Sequence, residues 1–115
     1  MPYVDGFVCA VPVGNRQKYI DHALFAARKF KELGALQVVE CWGDDVPEGK
    51  LTSFRMAVKQ EEGEAAVFSW VVWPSKEVRN AAWQKMMEDT EMAGMEMPFD
   101  GKRMIYGGFE QVVEV

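Results

Sequence analysis

Two carboxylates stand where carboxylates are costly. Asp5 lies within the apolar run YVDGFVCAVP, and Glu40 within LQVVECW. Because side chains two apart on a strand share a face, Tyr3, Asp5, Phe7 and Cys9 belong to one surface, and Leu36, Val38, Glu40 and Trp42 to another. A carboxylate held among such neighbours loses water, its pKa rises, and it becomes able to take a proton as a general base or to hold a ligand's hydroxyl. With both faces turned away from the helices, Asp5 and Glu40 would project into one cavity together with Tyr3, Trp42 and Tyr106. Those five are the candidate ligand-binding residues, and Asp5 and Glu40 the candidate catalytic ones. The competing reading has each carboxylate satisfied by the backbone or by Arg55 or Arg103, since structural ion pairs perturb pKa values too.

The remaining reactive residues offer less. His22 is the only histidine, and it falls beside the apolar stripe of its helix, which leaves no basis for a metal cage or a Ser-His-Asp triad. Cys9 and Cys41 fall on strands expected to be separated by a third, about 9–10 Å apart, so they are read as buried free thiols and not as a disulfide. Nothing singles out a haem ligand, and no cofactor is expected. Trp42, Trp70, Trp73 and Trp83, with eight methionines, suit a core or dimer contact and could also line an apolar pocket. GKRMIYGGFE lacks the glycine spacing and strand-to-helix setting of a phosphate loop, so Gly107 and Gly108 are read as a bulge or a close approach.

The 115 residues suit one domain spanning 1–115, and 49% apolar with 27% charged residues is a globular balance. A net charge of −5 argues against nucleic acid, whose affinity comes from cations on phosphates. The basic residues Arg16, Lys18, Arg28, Lys29 and Lys31 spread around the first helix and are diluted by Asp21 and Glu32, as on a solvated face. Phe25 lies opposite that helix's apolar stripe. The N-terminal run has no basic segment, and no apolar stretch approaches the roughly 20 residues that cross a bilayer. A cytoplasmic protein with reduced thiols, not bound to a membrane, is expected.

The elements that must position these residues follow from the patterning. Tyr3 to Pro12 reads as a strand. Asn15 as N-cap opens a helix with a stripe of Tyr19, Ile20, Ala23, Leu24, Ala27, Phe30 and Leu33, stopped by Gly34. A second strand runs within Leu36 to Val46, Leu51 to Val58 is ambiguous, and AAVFSWVVW is a strand of the sheet interior. Ser75 caps a helix carrying Val78, Ala82 and Met86 to about Ala93, and Arg103 to Val115 forms the last strand. The order β, α, β, β, α, β predicts a ferredoxin-like α+β fold, its antiparallel sheet in the order 4-1-3-2 with both helices on one face. The other face then needs a cover, and a homodimer stacking two sheets is expected.

The segments MPYVDGFVCAVP, VFSWVVWPSKEVRN and MPFDGKRMIYGGFE resemble the YbaA-like family, a domain of unknown function similar in fold to the dimeric α/β-barrel group. That group includes haem-dependent chlorite dismutases and cofactor-independent monooxygenases. The resemblance implies the same dimer and assigns no reaction. The expected function is binding of a small, partly apolar molecule, extending to cofactor-independent oxygenase or isomerase chemistry. The alternatives are a structural or interaction module and, with less support, RNA binding.

Overall fold

The computed structural model describes residues 1–115. Its elements are β1 (Tyr3–Pro12), α1 (Arg16–Glu32), β2 (Gln37–Trp42), α2 (Phe54–Ala57), β3 (Glu64–Trp73), α3 (Lys76–Glu88), α4 (Thr90–Ala93) and β4 (Ile105–Glu110). The four strands form one antiparallel sheet in the order β2-β3-β1-β4, the expected order read from the other edge. With the long helices α1 and α3 crossing between strands, this is the ferredoxin-like α+β arrangement. No helix is long and apolar enough to cross a membrane.

Helix boundaries follow the local chemistry. Ser75 caps α3, its Oγ accepting the Val78 N–H at 3.2 Å, and Glu77 favours the first turn. Gly34 follows α1 at φ +113°, which only glycine adopts freely, and a Cβ there would lie 2.9 Å from Val78 Cγ1. Asn15 does not cap α1 with its side chain. Its Nδ2 donates instead to the Pro98 carbonyl at 3.0 Å, tying the helix start to the segment before β4. The second long helix stops short of Ala93 because Asp89 accepts the N–H groups of Glu91 and Met92 and thereby starts the separate turn α4. The second strand lies within the expected Leu36 to Val46 and ends at Trp42, whereas the last, expected over Arg103 to Val115, runs only from Ile105 to Glu110.

The register fixes the faces. Tyr3 pairs with Trp73, Asp5 with Val71, Phe7 with Ser69 and Cys9 with Val67, while Val38, Glu40 and Trp42 pair with Val71, Ser69 and Val67. Opposite residues share a side, so all of these look the same way. That way is toward the helices: Tyr3, Val71 and Trp73 pack with Phe30 of α1 and with Ala82 and Met86 of α3. Lower in the layer, Cys9, Val11 and Val67 pack with Tyr19 and Ala23. Trp73 is fully buried, edge-on to Phe30 at 5.9 Å, and truncation at such a position typically costs about 3–5 kcal/mol.

The opposite face carries Val4, Val8, Phe68, Trp70, Val72 and Phe109, bordering a depression of about 720 Å³. The segment left ambiguous by the sequence covers one end of it. Val58 is fully buried with Val8 and Ala10, and Phe54 of α2 stands edge-on to Phe68 at 5.8 Å. Beyond that cover Phe68 remains 44% and Phe109 61% exposed.

Candidate functional site

Asp5 and Glu40 both face the helices, so the expectation that they look away from them is corrected. Alternation dictates which side chains travel together but not which way a strand turns. Turning Asp5 inward is tolerable because donors await it. Its Oδ2 accepts the indole N–H of Trp73 at 2.9 Å and of Trp83 at 2.8 Å, and Arg79 donates to Oδ1 from Nη2 at 2.7 Å and from Nε at 3.1 Å. The residue is only 3% exposed, and its carboxylate is hydrogen-bonded on both oxygens, as a buried charge must be. Its cation is Arg79, neither Arg55 nor Arg103. The Arg79 guanidinium also lies 5.3 Å from the centroid of the Tyr3 ring. Asp5 therefore joins β1, β3 and α3 and has no oxygen free for a ligand.

Glu40 is differently placed. It sits on the edge strand β2, where the residue as a whole is exposed and only its contact with α1 is covered. Tyr19 of α1 donates its hydroxyl to Glu40 Oε1 at 2.5 Å. Packing under α1 strips water from the carboxylate and raises its pKa, an effect that the Tyr19 and Ser69 hydroxyls oppose without cancelling. The Tyr19 phenol is itself raised, first by burial and then by the negative charge of Glu40. Cys9, beside Tyr19, is pushed up to about 12 by burial, which keeps it a thiol at neutral pH and no nucleophile.

Around this pair the side chains leave a groove of about 290 Å³ between α1 and β2. It is lined by Ile20, Ala23, Leu24, Ala27 and Val38, with Tyr19 and Glu40 as its polar members. The stripe of α1 is wider than the sheet can cover. Tyr19, Ala23 and Phe30 are buried, whereas Ile20 and Leu24 stay 38% and 52% exposed and form walls of the groove. Trp42 stands edge-on to Tyr19 at 6.5 Å, and Arg16 lies 5.1 Å from the centroid of the Trp42 ring.

The five sequence-predicted residues thus divide. Glu40 and Trp42 share the neighbourhood of Tyr19, Tyr3 and Asp5 meet at Arg79, and Tyr106 lies on the far edge strand β4, largely exposed. Sequence reasoning missed Tyr19 as a functional residue because it sits in the apolar stripe, and missed Arg79 because it lies 74 positions from its partner. Cys9 is a buried free thiol as expected, but Cys41 is exposed, since it alternates onto the open face of the edge strand. His22 is half-buried, its pKa lowered by burial, and no His, Cys, Asp or Glu cluster suits a metal.

Residues 2–101 match a family described as "Protein of unknown function (DUF1428)". The chain belongs to this family. The "Uncharacterized protein YbaA" of Escherichia coli (strain K12) is 62% identical over 116 residues, covering 99% of each chain, and the protein so described in Shigella flexneri matches equally. A crystal structure of a protein described as PII-like signaling from Thermus thermophilus is similar at 13% identity, over 95% of this chain and 86% of that one. Its TM-score of 0.38 is too low to inform the site of this DUF1428 member.

Proposed function

We propose that this DUF1428 protein is a cytoplasmic homodimer that binds a small, partly apolar molecule in the groove between α1 and β2, against Glu40. The observation that carries the reading is the Glu40 carboxylate, gripped on one oxygen by Tyr19 and set at the edge of an otherwise apolar groove. Sites for small molecules are typically apolar with a few placed polar groups, and about 290 Å³ is near the lower end of their range. Tyr19 borders the ligand, and Trp42 backs Tyr19 from its edge. Asp5 and Tyr3 hold the sheet on which the site rests, and Tyr106 lies outside it. Glu40 is also the group suited to take a proton, as general base of a cofactor-independent isomerase or oxygenase. Two cysteines that form no disulfide fit a reducing compartment.

The dimer is supported by the open sheet face, where Phe68, Trp70 and Phe109 form an apolar surface of the kind that marks interfaces. Native mass spectrometry of the purified protein tests both parts. The reading expects twice the chain mass with a bound small molecule, and loss of that molecule in Ala27→Trp, which fills the groove. A dimer whose adduct survives Ala27→Trp would overturn the site. A second reading, an interaction module without a ligand, is favoured by the same exposed face; it expects a dimer that never carries an adduct. RNA binding has only the low-weight place the charge of −5 leaves it.

A further inference from the structure

Carboxylates that pack against this fold have cations. Asp5 has Arg79, Glu64 and Asp100 share Arg103, and Asp89 has Lys29. Glu40 forms no salt bridge. Its neighbours on every packed element are the Tyr19 phenol from α1, the Cys9 thiol from β1 and the Ser69 hydroxyl from β3, all uncharged at neutral pH. The cation on the same side, Arg16, lies over Trp42 and is not paired with Glu40. A carboxylate without a counter-charge, held on one oxygen by a buried tyrosine and lining an otherwise apolar groove, is complementary to a molecule that brings the charge with it.

We infer that the groove takes a primary ammonium compound with a compact apolar body, its nitrogen on Glu40 and its body over Ala23 and Ala27. This rests on the small-molecule reading above and names the ligand class. An ammonium has three donors, and Glu40 has acceptor positions left after Tyr19 takes one on Oε1. Charge-assisted hydrogen bonds are roughly twice as strong as neutral ones, and more so away from bulk water. A carboxylate ligand would meet like charge, and an alcohol would leave Glu40 without its counter-ion. The body has a defined place. Ala23 and Ala27 are one turn apart on α1 and form a shallow floor, Ile20 and Leu24 rise beside it, and Val38 closes the sheet side. The volume suits a single ring on a short arm.

The test titrates the full chain with three probes of one body and different heads: benzylamine, benzyl alcohol and benzoate. Two-dimensional amide NMR reads the affected residues, and calorimetry reads affinity. Benzylamine is expected to shift the amides of Ala23, Ala27 and Val38 and to bind at least about tenfold more tightly than benzyl alcohol, with benzoate weakest. Glu40→Gln, which can still accept the Tyr19 hydroxyl, is expected to remove that preference by lowering the affinity for benzylamine more than that for benzyl alcohol. Benzyl alcohol or benzoate binding as tightly as benzylamine overturns the ammonium class yet leaves the groove standing as a site. Shifts of those amides by none of the three overturn the groove itself. The comparison of heads on the unaltered protein decides the matter even if Glu40→Gln folds poorly.

Discussion

Arg79 and Asp5, 74 residues apart in sequence, meet in a fork with Nη2 2.7 Å from Oδ1 and Nε 3.1 Å from both carboxylate oxygens. The Asp5 side chain is 4% exposed and that of Arg79 23%. With the indole N–H groups of Trp73 and Trp83 also on Oδ2, one carboxylate secures β1, β3 and α3 together.

Removing that carboxylate strands the donors of three residues. Asp5→Ala should lower unfolding stability by about 3–5 kcal/mol, because breaking one side of a buried pair leaves the other without compensation. Chemical denaturation measures it. Trp83→Phe, which withdraws one donor, should cost about 1 kcal/mol through that lost bond, apart from any change in packing. An Asp5→Ala protein as stable as the parent would show that the fork is incidental.

The two outlying glutamates should give opposite pH signatures. Glu64 has its pKa lowered, chiefly by hydrogen bonds from Arg103 at 2.8 Å to each oxygen, so its stabilisation is present above the ordinary value of 4.5 and is lost as pH falls through the lowered one. Glu40 has its pKa raised, so the folded state favours its protonated form and stability declines as pH rises from 4.5 through the raised value. Denaturation across the acid range should therefore show Glu64→Gln weakening the loss of stability toward low pH. Glu40→Gln should gain relative to the parent between acid and neutral pH. A Glu40→Gln difference independent of pH would contradict the raised pKa.

Gly108 should not tolerate a side chain. A Cβ there would lie 2.7 Å from Tyr3 Cε2 and 2.9 Å from Cζ, and Tyr3 is held between the core and Arg79. Gly108→Ala should cost about 1–3 kcal/mol by overpacking, while Gly101→Ala, with open space around it, should cost far less. Thermal unfolding of the two variants side by side checks this.

The architecture is largely legible because each element carries its own signal: a period-two run for β1, a nearly unbroken apolar run for β3, a period near 3.6 for α1, Ser75 for the start of α3. Two things were not local. The inward turn of Asp5 depends on Arg79 and two tryptophans from later elements, and a lone carboxylate on a strand gives no hint of donors 68 to 78 positions away. The groove was half legible. The stripe of α1 was read in full, but only the packed structure shows that Ile20 and Leu24 overhang the sheet edge while Tyr19 reaches Glu40. The glycine pair Gly107 and Gly108 signals either a bulge or a close approach, and only the packed structure shows Tyr3 against Gly108.

Charge on the open face should separate the subunits. Phe68→Glu or Phe109→Glu places a carboxylate in the proposed contact while leaving the helix side untouched. Sedimentation should then fall from a dimer to a mass near 13.1 kDa at micromolar concentration. A parent protein already at the single-chain mass would remove the dimer.

The most direct measurement is the electron density of the protein crystallised as purified, without added ligand. The proposal predicts density for a small molecule between α1 and β2, bounded by Ile20, Leu24 and Val38 and within hydrogen-bond distance of Glu40. Density lodged between the two sheets against Phe68 and Trp70, with Ile20 and Leu24 closed over Ala23, would contradict it.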